Sequence, residues 1–120
     1  KARRQFDSTG YSPNTDEGVF RTAFAEWVKT DPRATVGARR AQRKWNSDAD
    51  ISKVSTPVLV VIGEHTEAEY QNSAQEFADE LPNGSATYLK GASRHAVIEN
   101  PTELSAAIDE YIQGLGQRHD

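Results

Sequence analysis

Five consecutive aliphatic residues, Val58-Leu59-Val60-Val61-Ile62, constrain this chain more than any other segment. Four of the five are β-branched, and Pro57 and Gly63 bound the run. So short and uniformly apolar a run predicts a strand buried on both faces, the kind found in parallel sheets covered by helices. Tyr70, Ala74, Phe77, Ala78 and Leu81 then fall on one helical stripe. Pro82-Asn83-Gly84 reads as a turn, and Ala86-Thr87-Tyr88-Leu89 as a short second strand. A loop from Gly91 to Asn100 carries His95. Asn100 caps a last helix, with Pro101 in its first turn and Glu103 at its third position. That helix has the stripe Leu104, Ala107, Ile108, Tyr111, Ile112 and Leu115, and is expected to end at Gly114 and Gly116. From Pro57 the order is β-α-β-α, which predicts an α/β class and a parallel sheet. Two parallel strands do not make a stable sheet alone, so further strands are expected from elsewhere.

Upstream, residues 1–15 are polar, and Gly10, Ser12, Pro13 and Asn14 mark a loop. Val19, Phe20, Ala23, Phe24, Trp27 and Val28 form one helical stripe, with Asn14 and Glu17 as the expected cap pair. Asp31 precedes Pro32 and is pushed out of the α region, which ends this helix near Thr30. The same Asp-Pro step opens a second helix. Ala34, Ala38, Ala41 and Trp45 give it a narrow small-residue stripe, and Asn46-Ser47-Asp48 ends it. Arg39, Arg40, Arg43 and Lys44 on the other face read as solvated charge. Residues 1–50 thus form an N-terminal loop and helical segment, and 51–120 the α/β part.

The balance of 14 basic and 18 acidic residues leaves a net charge of −4. That argues against a nucleic-acid or anionic-membrane binder, whose affinity rests on positive excess. Without cysteine there are no disulfides and no thiolate metal sites. His65 and His119 have no metal-ligand spacing with His95, so no metal site is expected. No apolar run approaches the ~20 residues of a membrane span, and the residues from Lys1 onward show no signal-peptide pattern. A cytoplasmic protein is the expectation. The chain contains no methionine and starts Lys1-Ala2-Arg3-Arg4. It is therefore expected to be a piece of a longer product that does not fold stably alone. Asn83-Gly84-Ser85 fits a glycosylation acceptor, but a turn accounts for it.

The segment Ser55-Thr56-Pro57-Val58-Leu59-Val60-Val61-Ile62-Gly63-Glu64-His65 resembles the penultimate core strand of the α/β-hydrolase fold. Leu89-Lys90-Gly91-Ala92-Ser93-Arg94-His95, continuing to Ile98-Glu99-Asn100-Pro101, resembles its last strand, its catalytic-histidine loop and the cap of its final helix. The resemblance covers about residues 51–116, and 15–50 are similar to the helical cap this family inserts before the penultimate strand. Its most specific element is an acid position, three residues after Gly63, that lies 29 residues ahead of the loop histidine.

The resemblance implies that His95 is a general base, taking a proton from a nucleophile and returning it to the leaving group. The acid position is Thr66, which can accept a hydrogen bond but cannot stabilise an imidazolium by charge. Losing that charge can cost on the order of 10⁴ in rate. Glu67 or Glu64 could replace it, or a carboxylate upstream of Lys1. The elbow Gly-x-Ser-x-Gly is absent; Gly91-Ala92-Ser93-Arg94-His95 starts like it, but Ser93 reads as a loop serine. The nucleophile is expected on an N-terminal half, either a companion polypeptide or the missing part of the same chain. The implied reaction is hydrolysis of an ester, lactone or related acyl bond in a small apolar substrate, without metal or organic cofactor. Phe24, Trp27 and Val97 are candidates for the substrate pocket. Phe20, Phe24, Trp27 and Trp45 fit an apolar pocket beneath the cap, but such a stripe is more often helix-packing core, and core is the expectation for most of the four. The alternative, which Thr66 favours, is a non-catalytic hydrolase-like protein that binds a ligand or partner or acts as a receptor.

Overall fold

The computed structural model describes residues 10–45 and 50–117. The expected helix end at Asn46-Ser47-Asp48, most of the N-terminal loop and His119 lie outside the described residues. The order is α1 (Glu17–Trp27), α2 (Pro32–Lys44), a 3-10 turn (Ile51–Lys53), β1 (Val58–Gly63), α3 (Ala68–Glu80), β2 (Gly84–Leu89), α4 (Ala96–Glu99) and α5 (Pro101–Gln117). The fold is mixed α/β: among the described residues, five helices and a two-stranded parallel sheet.

The aliphatic run forms β1 as its composition dictates, and β2 pairs with it from Val58↔Gly84 to Gly63↔Leu89. Helix α3 crosses between them and packs on both strands, while α5 packs on β2 and α4 on α5. Ile62, Ala78, Leu81, Leu89 and Ala92 are the buried apolar residues. Val58 to Val61 are only half-buried, contrary to the expectation of a strand covered on both faces. The physical reason is that β1 has one described sheet neighbour, β2.

Four local expectations need correction. Helix α1 is capped by Asp16, whose Oδ1 accepts from Gly18 N at 2.8 Å and Val19 N at 3.2 Å. Asn14 and Thr15 are instead drawn into a turn on Ser12, with Asn14 N 3.2 Å from Ser12 Oγ and Thr15 N 3.0 Å from Ser12 O. Strand β2 begins at Gly84 rather than Ala86, because ladder pairing starts directly from the turn. The His95 loop contains the one-turn helix α4, closed by Ile98 N and Glu99 N on His95 O at 2.9 and 3.0 Å. Helix α5 runs through Gly114 and Gly116 to Gln117. Glycine costs a helix about 1 kcal/mol but does not break it.

Other local signals act as read. Asp31 Oδ1 caps α2 through Arg33 N at 2.8 Å, with Pro32 in the first turn. Asn100 accepts from Glu103 N at 3.4 Å at the start of α5, and its Nδ2 donates to Lys90 O at 2.9 Å. The expected helix-packing core does not form at Trp45, which is 74% exposed, and helices α1 and α2 bury no residue, because no described element covers their apolar stripes. Among the described residues no helix is long and apolar enough to cross a membrane.

Candidate active site

The loops that follow β1 and β2 are laced together at the C-terminal end of the sheet, the edge where open α/β sheets place their sites. Glu64 N donates to Leu89 O at 3.0 Å, and His65 N to Ala92 O at 2.9 Å. Ser93 is buried, and its hydroxyl lies 3.4 Å from His65 O. Its role is that of a loop serine tied into the backbone.

His95 caps α4 and is half-buried. Its ring stacks on Tyr11, centroid to centroid 4.4 Å at 26°. Tyr11 in turn meets the ring of Phe20 on α1 edge-on, at 5.7 Å and 77°. Burial raises the Tyr11 phenol above its ordinary value, and the Glu99 charge adds to that.

Glu99 is the hub beneath His95. One carboxylate oxygen accepts from Ser93 N at 2.9 Å and His95 N at 3.1 Å. The other accepts from Ser12 N and from Thr15 Oγ1, the latter at 2.8 Å. Burial alone would raise its pKa. The donors from Ser12, Ser93, Thr15 and His95 outweigh it and hold the carboxyl below the ordinary glutamate value.

The carboxylates beside Thr66 in the sequence are otherwise engaged. Glu67 Oε2 takes Arg94 Nη2 at 2.9 Å and Nε at 3.1 Å. Its own backbone N–H, then the Arg94 side chain, keep its carboxyl below the usual range. Glu64 Oε2 accepts from Gly91 N at 3.2 Å. Arg94 also sets its guanidinium 4.1 Å over the Tyr70 ring, and its backbone N–H donates to Gly10 O at 3.0 Å.

A cavity of about 510 Å³ opens at this end of the sheet. Thr66 and His95 both line it, with Arg94, Tyr70, Val97 and Ile98. Of the candidate site residues, then, Thr66, His95 and Val97 share one wall. Glu67 sits beside it in the Arg94 pair. Phe24 and Trp27 are not on that wall; they stack on each other along α1 at 6.2 Å. Among the described residues no group of three or more His, Asp or Glu side chains can hold a metal ion.

No protein-family model, curated protein or solved structure matches this chain.

Chemically, this wall offers an imidazole able to take and return a proton, the hydroxyls of Thr66, Tyr70 and Ser93 and one guanidinium, set among apolar side chains. Sequence reasoning missed three participants. Tyr11 left no local signal, because His95, on which its ring stacks, lies 84 residues further along the chain. Glu99 was readable only as part of the segment before Pro101. Arg94 precedes the candidate histidine but shows no pattern of its own.

Proposed function

We propose that this chain is the C-terminal part of a cofactor-independent α/β-hydrolase in which His95 is the general base. The supporting observation is that Thr66 and His95, on the loops after two successive parallel strands, line one largely apolar cavity at the strand ends. The nucleophile and the oxyanion-hole donors come from an N-terminal half, which also supplies strands beside β1. The half-buried aliphatic face of β1 supports that companion. A nucleophile hydroxyl gives its proton to His95 as its oxygen attacks the acyl carbon. His95 passes that proton to the departing alkoxide. Water then loses a proton to His95, its oxygen takes the acyl group, and the nucleophile recovers the proton. A small ester or lactone with an apolar acyl part suits a wall built from Val97, Ile98 and Tyr70.

In the complete protein, His95→Ala should lower kcat on a short acyl ester by several orders of magnitude with the fold intact. Undiminished turnover overturns the assignment.

A second reading has its own support. Thr66 carries no charge, Glu67 is committed to Arg94, and Glu64 to the Gly91 N–H. A hydrolase-like protein that holds a small ligand without turning it over fits those three facts. Binding of an apolar ester that survives intact in the complete protein, with no change on His95→Ala, would select it.

A further inference from the structure

We propose that residues 10–15 form a strap that sets the orientation of His95, with Tyr11 as the positioning residue and Glu99 as the anchor. The described ties of this segment run to the His95 loop, to the start of α1 and within the segment itself, where Asn14 N and Thr15 N close on Ser12. Gly10 O accepts from Arg94 N at 3.0 Å. Gly10 has φ +91°, and a Cβ there would stand 2.5 Å from Arg94 Cδ, so the strap enters through a position that favours glycine. Ser12 N and Thr15 Oγ1 share one oxygen of Glu99. Its second oxygen holds Ser93 N and His95 N. A single carboxylate therefore clamps the strap on one side and the backbone of His95 on the other.

Tyr11 sits between those fixed points, and its ring covers one face of the His95 imidazole. Offset or near-parallel stacking of this kind restricts the torsion that would swing the imidazole away. The same Tyr11 ring makes a T-shaped contact with Phe20, so α1, the strap and His95 form one connected stack. A shift of α1 would then be felt at the imidazole. The orientation itself does not depend on the hydrolase reading; its catalytic consequence rests on His95 being the base.

The test uses the complete protein and carbethoxylation of histidines by diethyl pyrocarbonate, read by peptide mass spectrometry with exposed His65 as internal reference. Tyr11→Ala should raise the His95 rate several-fold relative to His65, and Tyr11→Phe should restore the native rate, since stacking needs the ring and not the hydroxyl. Glu99→Gln should act like Tyr11→Ala. The double variant Tyr11→Ala with Glu99→Gln should react no faster than either single one. An unchanged His95 rate in folded Tyr11→Ala overturns the strap, and rates that multiply in the double variant overturn the shared anchor. If Glu99→Gln does not fold, the Tyr11 pair still decides. In turnover, Tyr11→Ala should reduce kcat more than it alters KM, with recovery in Tyr11→Phe. Full activity in His95→Ala would sink the hydrolase reading while the modification pattern would still report on the strap.

Discussion

A Cβ on Gly63 would stand 2.2 Å from the carbonyl oxygen of Ser93. The last residue of β1 thus touches the backbone of the His95 loop with no room for a side chain. Both partners are backbone, so neither can step aside by rotating a side chain. Gly63→Ala should destabilise the fold by about 1–3 kcal/mol, as overpacking does. It should also speed hydrogen exchange at His65 N, whose bond to Ala92 O spans the same crossing. Denaturant unfolding and exchange measure the two effects; an unchanged midpoint would contradict the close approach.

The position of Thr66 gives a directional expectation for activity. With His95 as the proposed general base, a carboxylate there would stabilise the imidazolium that this proposal requires in the transition state. Thr66→Asp should raise kcat in the complete protein by an order of magnitude or more, out of the ~10⁴ that such a carboxylate can be worth. Glu67→Gln should cost less than an order of magnitude, because Arg94 already holds that carboxylate. Steady-state kinetics on both variants separates a lost acid from a borrowed one. A large loss in Glu67→Gln would mean borrowing.

Stability should fall on the acid side through Glu99. Its folded carboxyl ionises below the ordinary value of about 4.3, so its contribution is complete above that pH and is lost as pH falls through the lowered folded value. Glu99→Gln removes this dependence. Between about pH 6 and about pH 3, the denaturation midpoint of the native sequence should drop more than that of the variant. Parallel curves would show that the four donors do not favour the charged form.

Pocket contacts should divide between α4 and α1. Val97 lines the cavity, whereas Phe24 and Trp27 stack on each other outside its wall. Val97→Ala should change KM for longer acyl chains by about threefold to tenfold, from ~0.8 kcal/mol for each methylene-sized group it buries against the substrate. Phe24→Ala and Trp27→Ala should leave KM near the native value. KM measured across a series of acyl lengths checks this. A larger effect at Trp27 would place the substrate under α1.

How much of this could be read beforehand depended on how local the cause was. The strand at Val58–Gly63 announces itself by a β-branched run with hard stops. The Asp31-Pro32 junction is fixed by one dipeptide and one capping bond. Helix α4 has only four residues, too few for a period to show, with Val97 70% exposed. Glycines 114 and 116 signal a stop, yet α5 continues past them because helical bonds tolerate glycine. The expected Asn14 cap failed because Ser12 competes for that stretch of backbone. At the candidate site, the two loops were legible from their glycines and from the position of His95. The anchor was not: Ser12 and Glu99 are 87 residues apart, and no periodicity encodes such a meeting.

The register of β1 and β2 bears on how the chain acquires its shape. Every ladder pair from Val58↔Gly84 to Gly63↔Leu89 joins residues 26 positions apart. The entropy of closing that crossover is therefore lost with the first pair, and each later pair adds hydrogen bonds with little further closure cost. Helix α3 lies within the closing segment and packs on both strands, so it favours the same closure. The strand–helix–strand unit should behave as a single kinetic step that is slow to start and quick to complete, with a transition state in which α3 is already formed.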